Sequence, residues 1–190
     1  MSARTILQVT GQPGAGKTEV CKYLVEEYGF TTVLVSDLIR AYAKPRGIPL
    51  RERFDYKLAH TQLLAELGQF AISDAIIETP SDLVCVDGIR VPAHAERLRS
   101  YGSKIVALDC PSQIRFERAT QRNSELDKTS YEDFLCDEEL EARNSDPFVQ
   151  GTLTVMEMAD YRIDSSQPLP QVQQTVDGIV AQLVQSSGNN

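Results

Sequence analysis

The chain has 190 residues, which is enough for one domain with a hydrophobic core, and 42% of them are apolar and 24% charged. Its net charge of -8 and its pI of about 4.8 argue against a protein that wraps nucleic acid, because such proteins need a basic surface. The four cysteines form no Cys-x-x-Cys pair, and with only two histidines they complete no zinc signature, so we interpret them as reduced thiols. We expect no signal peptide, because no apolar run follows a basic flank at the start of the sequence, and no membrane span, because no apolar run is long enough. We therefore expect a cytoplasmic protein without nucleic-acid or membrane partners.

Short apolar runs alternate along the chain with segments whose apolar residues recur at helical spacing. Glycine or proline marks the end of several of these elements. In chain order, the predicted elements are a strand at Thr5–Val9, a helix that Gly29 ends, a strand at Thr32–Val35, a helix at Asp37–Ala43 that Pro45 ends, one long helix from Arg51 to Glu78, strands at Leu83–Asp87, Lys104–Leu108 and Tyr161–Asp164, and a final helix at Leu169–Gln185.

This alternation predicts an α/β fold of three layers, with a five-stranded, mostly parallel sheet between two layers of helices. We expect a single domain over residues 1–190, with a helical acceptor-binding insertion at 37–80, a helical lid region at 113–146 and a disordered tail at 186–190. Residues 124–146 carry nine acids against two bases. They are interpreted either as a solvated helical hairpin or as a mobile cover over a nucleotide, and the two interpretations are compatible.

The segment Gly11–Thr18 has the full G-x-x-x-x-G-K-[ST] spacing between a predicted strand and a predicted helix. Its glycines let backbone N–H groups surround phosphates, and the start of the helix adds its positive end. Lys17 can reach the outer phosphates, and the Thr18 hydroxyl can bind Mg²⁺. The predicted nucleotide-binding residues here are Gly11, Pro13, Gly14, Ala15, Gly16, Lys17, Thr18 and Glu19.

Two loops that follow other strands supply the remaining groups of the predicted site. Asp87 ends an apolar strand and is predicted to hold Mg²⁺ with Thr18, whereas an ordinary strand-end Asp would cap the next turn. Arg90, from the same loop, is predicted to point toward the site. Asp37 and Arg40 lie one helical turn apart and could bind the acceptor; the alternative is a helix N-cap and an exposed arginine.

Basic residues occur in two places where an anionic substrate would need them. Residues 37–62 contain six bases against three acids in an acidic chain, which suits an anionic acceptor. Arg115, Arg118 and Arg122 share one predicted helix face, where they could stabilise charge on a transferring phosphoryl group or instead form salt bridges with acids. Arg143 could close on the nucleotide from the far end of the acidic stretch. In the loop after the last strand, Ser166 and Gln167 are candidate contacts to the donor base.

The ordered set of these motifs resembles the small P-loop kinases of nucleoside monophosphates and of dephospho-coenzyme A over nearly the whole chain. The matching segments are Gly11–Thr18, Ser36–Arg40, Asp87–Arg90, Asp109-x-Pro111 and Arg118-x-x-x-Arg122. The resemblance to adenylate-kinase-like members implies that Arg40 binds the acceptor phosphate, that Asp87 and Arg90 support Mg²⁺ and acceptor, and that Arg118 and Arg122 open a lid. The arginine that follows the Asp-Gly pair stands one position earlier here than in those members.

Other features are similar to dephospho-coenzyme A kinases. Ala159–Ile163 resembles the Ala-Asp-x-x-Ile strand that precedes their adenine-binding loop, and the resemblance implies that Asp37 is the acid on the acceptor side. The Asp-Ala-Asp segment of that family is Val35-Ser36-Asp37 here, so one acid is missing. The chain also resembles kinase-like proteins related to both groups.

The sequence as a whole predicts an ATP- and Mg²⁺-dependent kinase with a small, nucleotide-type acceptor. Lys17, Arg118 and Arg122 would hold the transferring phosphoryl group, and Asp37 would orient the acceptor. A nucleoside monophosphate is the first acceptor class and dephospho-coenzyme A the second. A nucleotide-binding regulator that hydrolyses slowly is the alternative from another class, and the basic residues at 37–62 argue against it. No pattern in the sequence indicates the oligomeric state.

Overall fold

A computed structural model describes residues 4–51, 53–121, 130–142 and 144–187 of the chain. Five strands form one sheet, and all four pairings between neighbouring strands are parallel. The strands are β1 (Thr5–Thr10), β2 (Thr31–Leu34), β3 (Leu83–Asp87), β4 (Lys104–Asp109) and β5 (Tyr161–Asp164), in the sheet order β2-β3-β1-β4-β5. The predicted α/β architecture with its parallel sheet is confirmed.

Helices cover both faces of the sheet. They are α1 (Lys17–Tyr28), α2 (Val35–Ala43), a 3₁₀ turn (Lys44–Arg46), α3 (Arg53–Leu67), α4 (Ala71–Ile77), α5 (Pro92–Arg99), α6 (Ser112–Gln121), α7 (Tyr131–Ala142), α8 (Thr152–Glu157) and α9 (Leu169–Ser187).

The period of two along a strand divides the core between the two sides of the sheet. In β1, Leu7 and Val9 face a core that includes residues of α1 and α9, whereas Ile6 faces a second core that includes residues of α2 to α5. Gln8 also points to the second side and is fully buried, and its amide donates to Ala95 O at 3.1 Å and Ser103 Oγ at 2.7 Å. These bonds satisfy the amide nitrogen, whereas Gln8 Oε1 has no hydrogen-bond partner among the described residues.

The first and last helices are joined by a shared carboxylate. The hydroxyls of Tyr23 and Tyr28 donate to Asp177 Oδ1 at 2.8 and 2.7 Å, which ties α1 to α9. These hydrogen bonds raise the pKa of Tyr28 to about 12, because ionisation would place a second negative charge beside Asp177.

Three predicted boundaries were wrong. The long helix expected from Arg51 to Glu78 is two helices, α3 and α4, because Gly68 adopts φ 101°, which a right-handed helix cannot continue. Val35, expected to end a strand, begins α2. The final helix, expected to end at Gln185, ends at Ser187. Residues 188–190 lie outside the described part of the chain, and the disorder of the tail stays a prediction.

Candidate functional site

The P-loop connects β1 to α1 and places three glycines in backbone conformations with positive φ. Gly11, Gly14 and Gly16 have φ of 151°, 78° and 90°, and Gly16 caps the start of α1. The loop therefore wraps around the positive end of a helix, which is the arrangement that binds phosphate. Lys17 is buried, and its Nζ donates to Gly11 O at 2.8 Å and to Gln12 O at 3.1 Å. These bonds hold its positive charge across the loop.

Thr18 and Asp87 meet beside the P-loop. The Thr18 hydroxyl donates to Asp87 Oδ2 at 2.8 Å. The sheet register explains the meeting, since Asp87 pairs with Val9 at the carboxyl edge of β1 and β3. A hydroxyl and a carboxylate oxygen are donors that Mg²⁺ prefers, so the pair fits the predicted metal. Within the described residues, no group of three or more His, Cys, Asp or Glu side chains could hold a metal ion by itself.

A cavity of about 330 Å³ extends from the P-loop toward α2, α3 and α5. Lys17, Thr18 and Asp87 line one end of it. Three further basic side chains line its walls: Arg40 from α2, Lys57 from α3, and Arg90 from the loop after β3. A volume above about 300 Å³ is typical of small-molecule sites. The cavity therefore joins the phosphate end to a wall that suits an anion.

The predicted acceptor residues Asp37 and Arg40 form an ion pair with each other. Arg40 Nε also donates to the Tyr56 hydroxyl at 2.9 Å, and this hydrogen bond is the main cause that raises the pKa of Arg40. Arg40 lines the cavity, whereas Asp37 does not. Ser36, which precedes Asp37 in the chain, lines the cavity instead. The role of Asp37 as an orienting acid stays a prediction.

Arg115, one of the three arginines expected on a single lid face, is a packing residue. It is only 4% exposed and forms an ion pair with Glu138 of α7, and burial lowers its pKa. Its Nε donates to Cys110 O at 2.8 Å, and its Nη1 to Pro13 O at 3.3 Å. Phe134, also on α7, is almost fully buried. The acid-rich helix therefore contributes to packing and is not solvated on all sides.

Arg118 lies beside the P-loop. Its Nη2 donates to Ser165 O at 2.9 Å, and its Nη1 lies 3.9 Å from the position that a Cβ on Gly16 would take. It thus connects α6 to the loop after β5 across the phosphate-binding turn. The predicted residues Arg122 and Arg143 lie outside the described part of the chain.

The remaining nucleotide-binding predictions lie at the edge of the site. Asp164 accepts hydrogen bonds from the backbone N and the hydroxyl of Ser166, and from Gln167 Nε2 at 2.7 Å. These bonds, those from Ser166 first, lower the pKa of Asp164. Ser166 and Gln167 therefore stabilise the loop that Arg118 contacts. Glu19 is exposed on α1 and does not line the cavity.

The polar residues that line the cavity and that sequence reasoning missed include His60 on α3, His94 on α5 and Gln150 before α8. The two imidazoles lie edge to face, with centroids 5.9 Å apart. Burial lowers the pKa of both, that of His94 to about 4 with a further contribution from His60. No spacing motif connects these three residues in sequence, and only the packing of separate elements brings them to one cavity.

Sequence relatives decide the family. A family model described as an AAA domain matches residues 10–134. A UPF0200 protein from Thermococcus onnurineus is 31% identical over 189 residues, which cover 94% of this chain and 98% of the relative. The chain belongs to the UPF0200 family. Another member, from Methanothermobacter thermautotrophicus, is 27% identical and covers 95% of this chain and 91% of its own length.

Solved structures show that this UPF0200 chain has the fold of small P-loop kinases. A gluconokinase from Sinorhizobium meliloti matches with a TM-score of 0.60 and 17% identity, over 98% of this chain and 97% of the kinase. A shikimate kinase from Acinetobacter baumannii, in complex with shikimate, matches with a TM-score of 0.59 and 21% identity, over 100% and 97% of the two chains. In the described ranges, no helix has the length and apolar character needed to cross a membrane.

Proposed function

We propose that this protein is an ATP- and Mg²⁺-dependent phosphotransferase that moves the γ-phosphoryl group of ATP to a small, anionic, nucleotide-type acceptor. The observation that carries the proposal is the cavity that joins the P-loop and the Thr18–Asp87 pair to Arg40, Lys57 and Arg90. A donor phosphate at one end and an anionic acceptor at the other would then share one cavity. A binding-only regulator would need no such acceptor space.

Each group would contribute by position and charge. Lys17 and Arg118 would stabilise the negative oxygens of the transferring group, with Arg122 in the same role from the predicted lid helix. Thr18 and Asp87 would hold Mg²⁺, which supplies further neutralising charge when it is bound. Arg40 and Arg90 would bind the acceptor, and Asp37 would orient it after giving up its ion pair with Arg40.

A nucleoside monophosphate is the acceptor class that we favour, because its size and charge suit the basic cavity. Dephospho-coenzyme A is the second candidate. A further cavity of about 350 Å³ shares Lys57, His60 and Gln150 with the first, and leucine, alanine and phenylalanine side chains line part of it. Such a space could take the extended arm of a larger acceptor.

The test is a panel of nucleoside monophosphates, dephospho-coenzyme A and shikimate, each incubated with labelled ATP and Mg²⁺. Transfer to one acceptor class is the expected result, and Lys17→Ala should abolish it with the fold intact. Undiminished transfer by that variant would remove the P-loop from the mechanism. Asp37→Asn should impair a hydroxyl acceptor, which needs an orienting base, far more than a phosphate acceptor, which is already ionised. If no compound is phosphorylated, the regulator hypothesis gains.

A further inference from the structure

His94 is a buried histidine that lines the cavity. It is 2% exposed, it lines the cavity, and its Nε2 has no hydrogen-bond partner among the described residues. An unpaired polar atom in this degree of burial costs free energy, so a histidine in this position needs an explanation. A ligand that fills the cavity would supply the missing partner.

Hydrogen bonds around the other ring nitrogen assign the tautomer of His94. Its Nδ1 lies 3.4 Å from Ser73 Oγ, and the Ser73 hydroxyl donates its one hydrogen to Phe70 O at 2.9 Å. With the Ser73 hydrogen directed to Phe70 O, Ser73 Oγ accepts from the imidazole, and we assign the proton to Nδ1 on this basis. The unpaired Nε2 is then a hydrogen-bond acceptor.

Gln150 also lines the cavity and has a second unpaired acceptor. Its side-chain Oε1 is buried and has no hydrogen-bond partner within the described ranges. It reaches the site from the segment before α8, whose backbone is fixed to the loop after β3 by the bond from Gly151 N to Arg90 O at 2.8 Å. Two residues from separate elements, each with an unpaired acceptor, thus line a cavity whose other polar groups include three basic side chains.

We propose that His94 and Gln150 select the acceptor by accepting hydrogen bonds from an uncharged N–H or O–H group that it carries apart from its phosphate. This inference rests on the proposed function and deepens it. An exocyclic amine of a nucleobase and a hydroxyl of a sugar or ring share this donor chemistry. His94 acts as a binding group and not as a general base, since an imidazole with a pKa of about 4 is a poor base at neutral pH.

Two variants of His94 separate recognition from structure. In His94→Asn the amide takes the place of Nδ1 and keeps the contact to Ser73, whereas in His94→Gln it takes the place of Nε2 and keeps a polar atom toward the cavity. If His94 recognises the acceptor, His94→Asn should raise the KM for the acceptor by roughly fivefold to tenfold, whereas His94→Gln should retain most of the affinity. In both variants kcat should change little. A structural histidine would give the opposite ranking, and that result overturns the proposal.

Matched ligands identify the donor group. AMP and purine riboside monophosphate differ by the exocyclic amine, AMP and 2′-deoxy-AMP differ by one hydroxyl, and shikimate provides ring hydroxyls without a base. Loss of the relevant donor should weaken binding by roughly fivefold to tenfold in the wild type and have no effect in His94→Asn. Equal affinities across these pairs would refute the selection of a donor group.

NMR of the histidine ring nitrogens tests the inference without catalytic turnover. The chain has only two histidines, so a single variant assigns both rings. The unliganded protein should show His94 as the neutral Nδ1–H form, and the Nε2 resonance should shift when a donor-bearing ligand is added. Phosphoryl transfer without this shift would retain the proposed function and reject the inference. A shift without transfer would retain the donor-binding subsite and reject the kinase.

Discussion

Replacing Gly14 by alanine should destabilise the fold by disturbing the contact between the P-loop and α6. The new Cβ would lie 2.3 Å from Arg115 O and 2.9 Å from Arg115 Cα, and Gly14 has φ 78°. An L-residue in the left-handed region costs about 1–2 kcal/mol, and overpacking against backbone adds about 1–3 kcal/mol. The expected loss of about 2–5 kcal/mol is large compared with a typical domain stability of about 5–15 kcal/mol.

Gly29→Ala is the matched control for this change. Gly29 has φ 71°, and a Cβ there would meet nothing within 4 Å, so only the conformational cost of about 1–2 kcal/mol applies. Urea unfolding of both variants measures the difference, which isolates the contact with α6. If the two alanine variants lose the same free energy of unfolding, position 14 of the P-loop does not pack closely against the backbone of α6.

Three further predictions concern buried or shared charges. Glu138→Ala leaves Arg115 without its ion-pair partner and should lower the free energy of unfolding by about 3–5 kcal/mol, whereas Arg115→Met combined with Glu138→Leu should recover most of it in urea unfolding. The pKa of His94 is about 4 in the folded chain and near 6.5 in the unfolded chain. Its contribution to the free energy of unfolding is therefore complete above about pH 6.5 and is lost as the pH falls toward 4. When the pH is lowered from about 7 to 5, the free energy of unfolding of the wild type should therefore fall by on the order of 2 kcal/mol more than that of His94→Gln. Equal decreases would show that His94 takes up its proton as readily in the folded protein as in the unfolded one. Asp177→Asn should lower the pKa of Tyr28 from about 12 toward its ordinary value in an ultraviolet absorbance titration, and no change would contradict the shared hydrogen bonds.

Local patterns in the sequence were sufficient for the sheet and for the phosphate-binding loop. The loop has a fixed spacing of glycines, Lys17 and Thr18 that lie within a few residues of each other, so its geometry depends on neighbours in the chain. Short apolar runs separated by helical segments likewise predict parallel strands in sequence order. The pairing of Thr18 with Asp87 could be anticipated because the carboxyl ends of neighbouring parallel strands meet at one edge.

Contacts between distant residues depended on the packed structure. The helical spacing runs through Gly68 without interruption, yet the positive φ of Gly68 divides α3 from α4. Arg115 carries the same pattern as Arg118 in sequence, but only packing of α7 against α6 shows that Glu138 neutralises it. His94 and Gln150 have no common motif, and the fold alone brings them to one cavity. A sequence pattern records which faces are apolar, whereas the partner of a buried polar atom is decided by how separate elements pack.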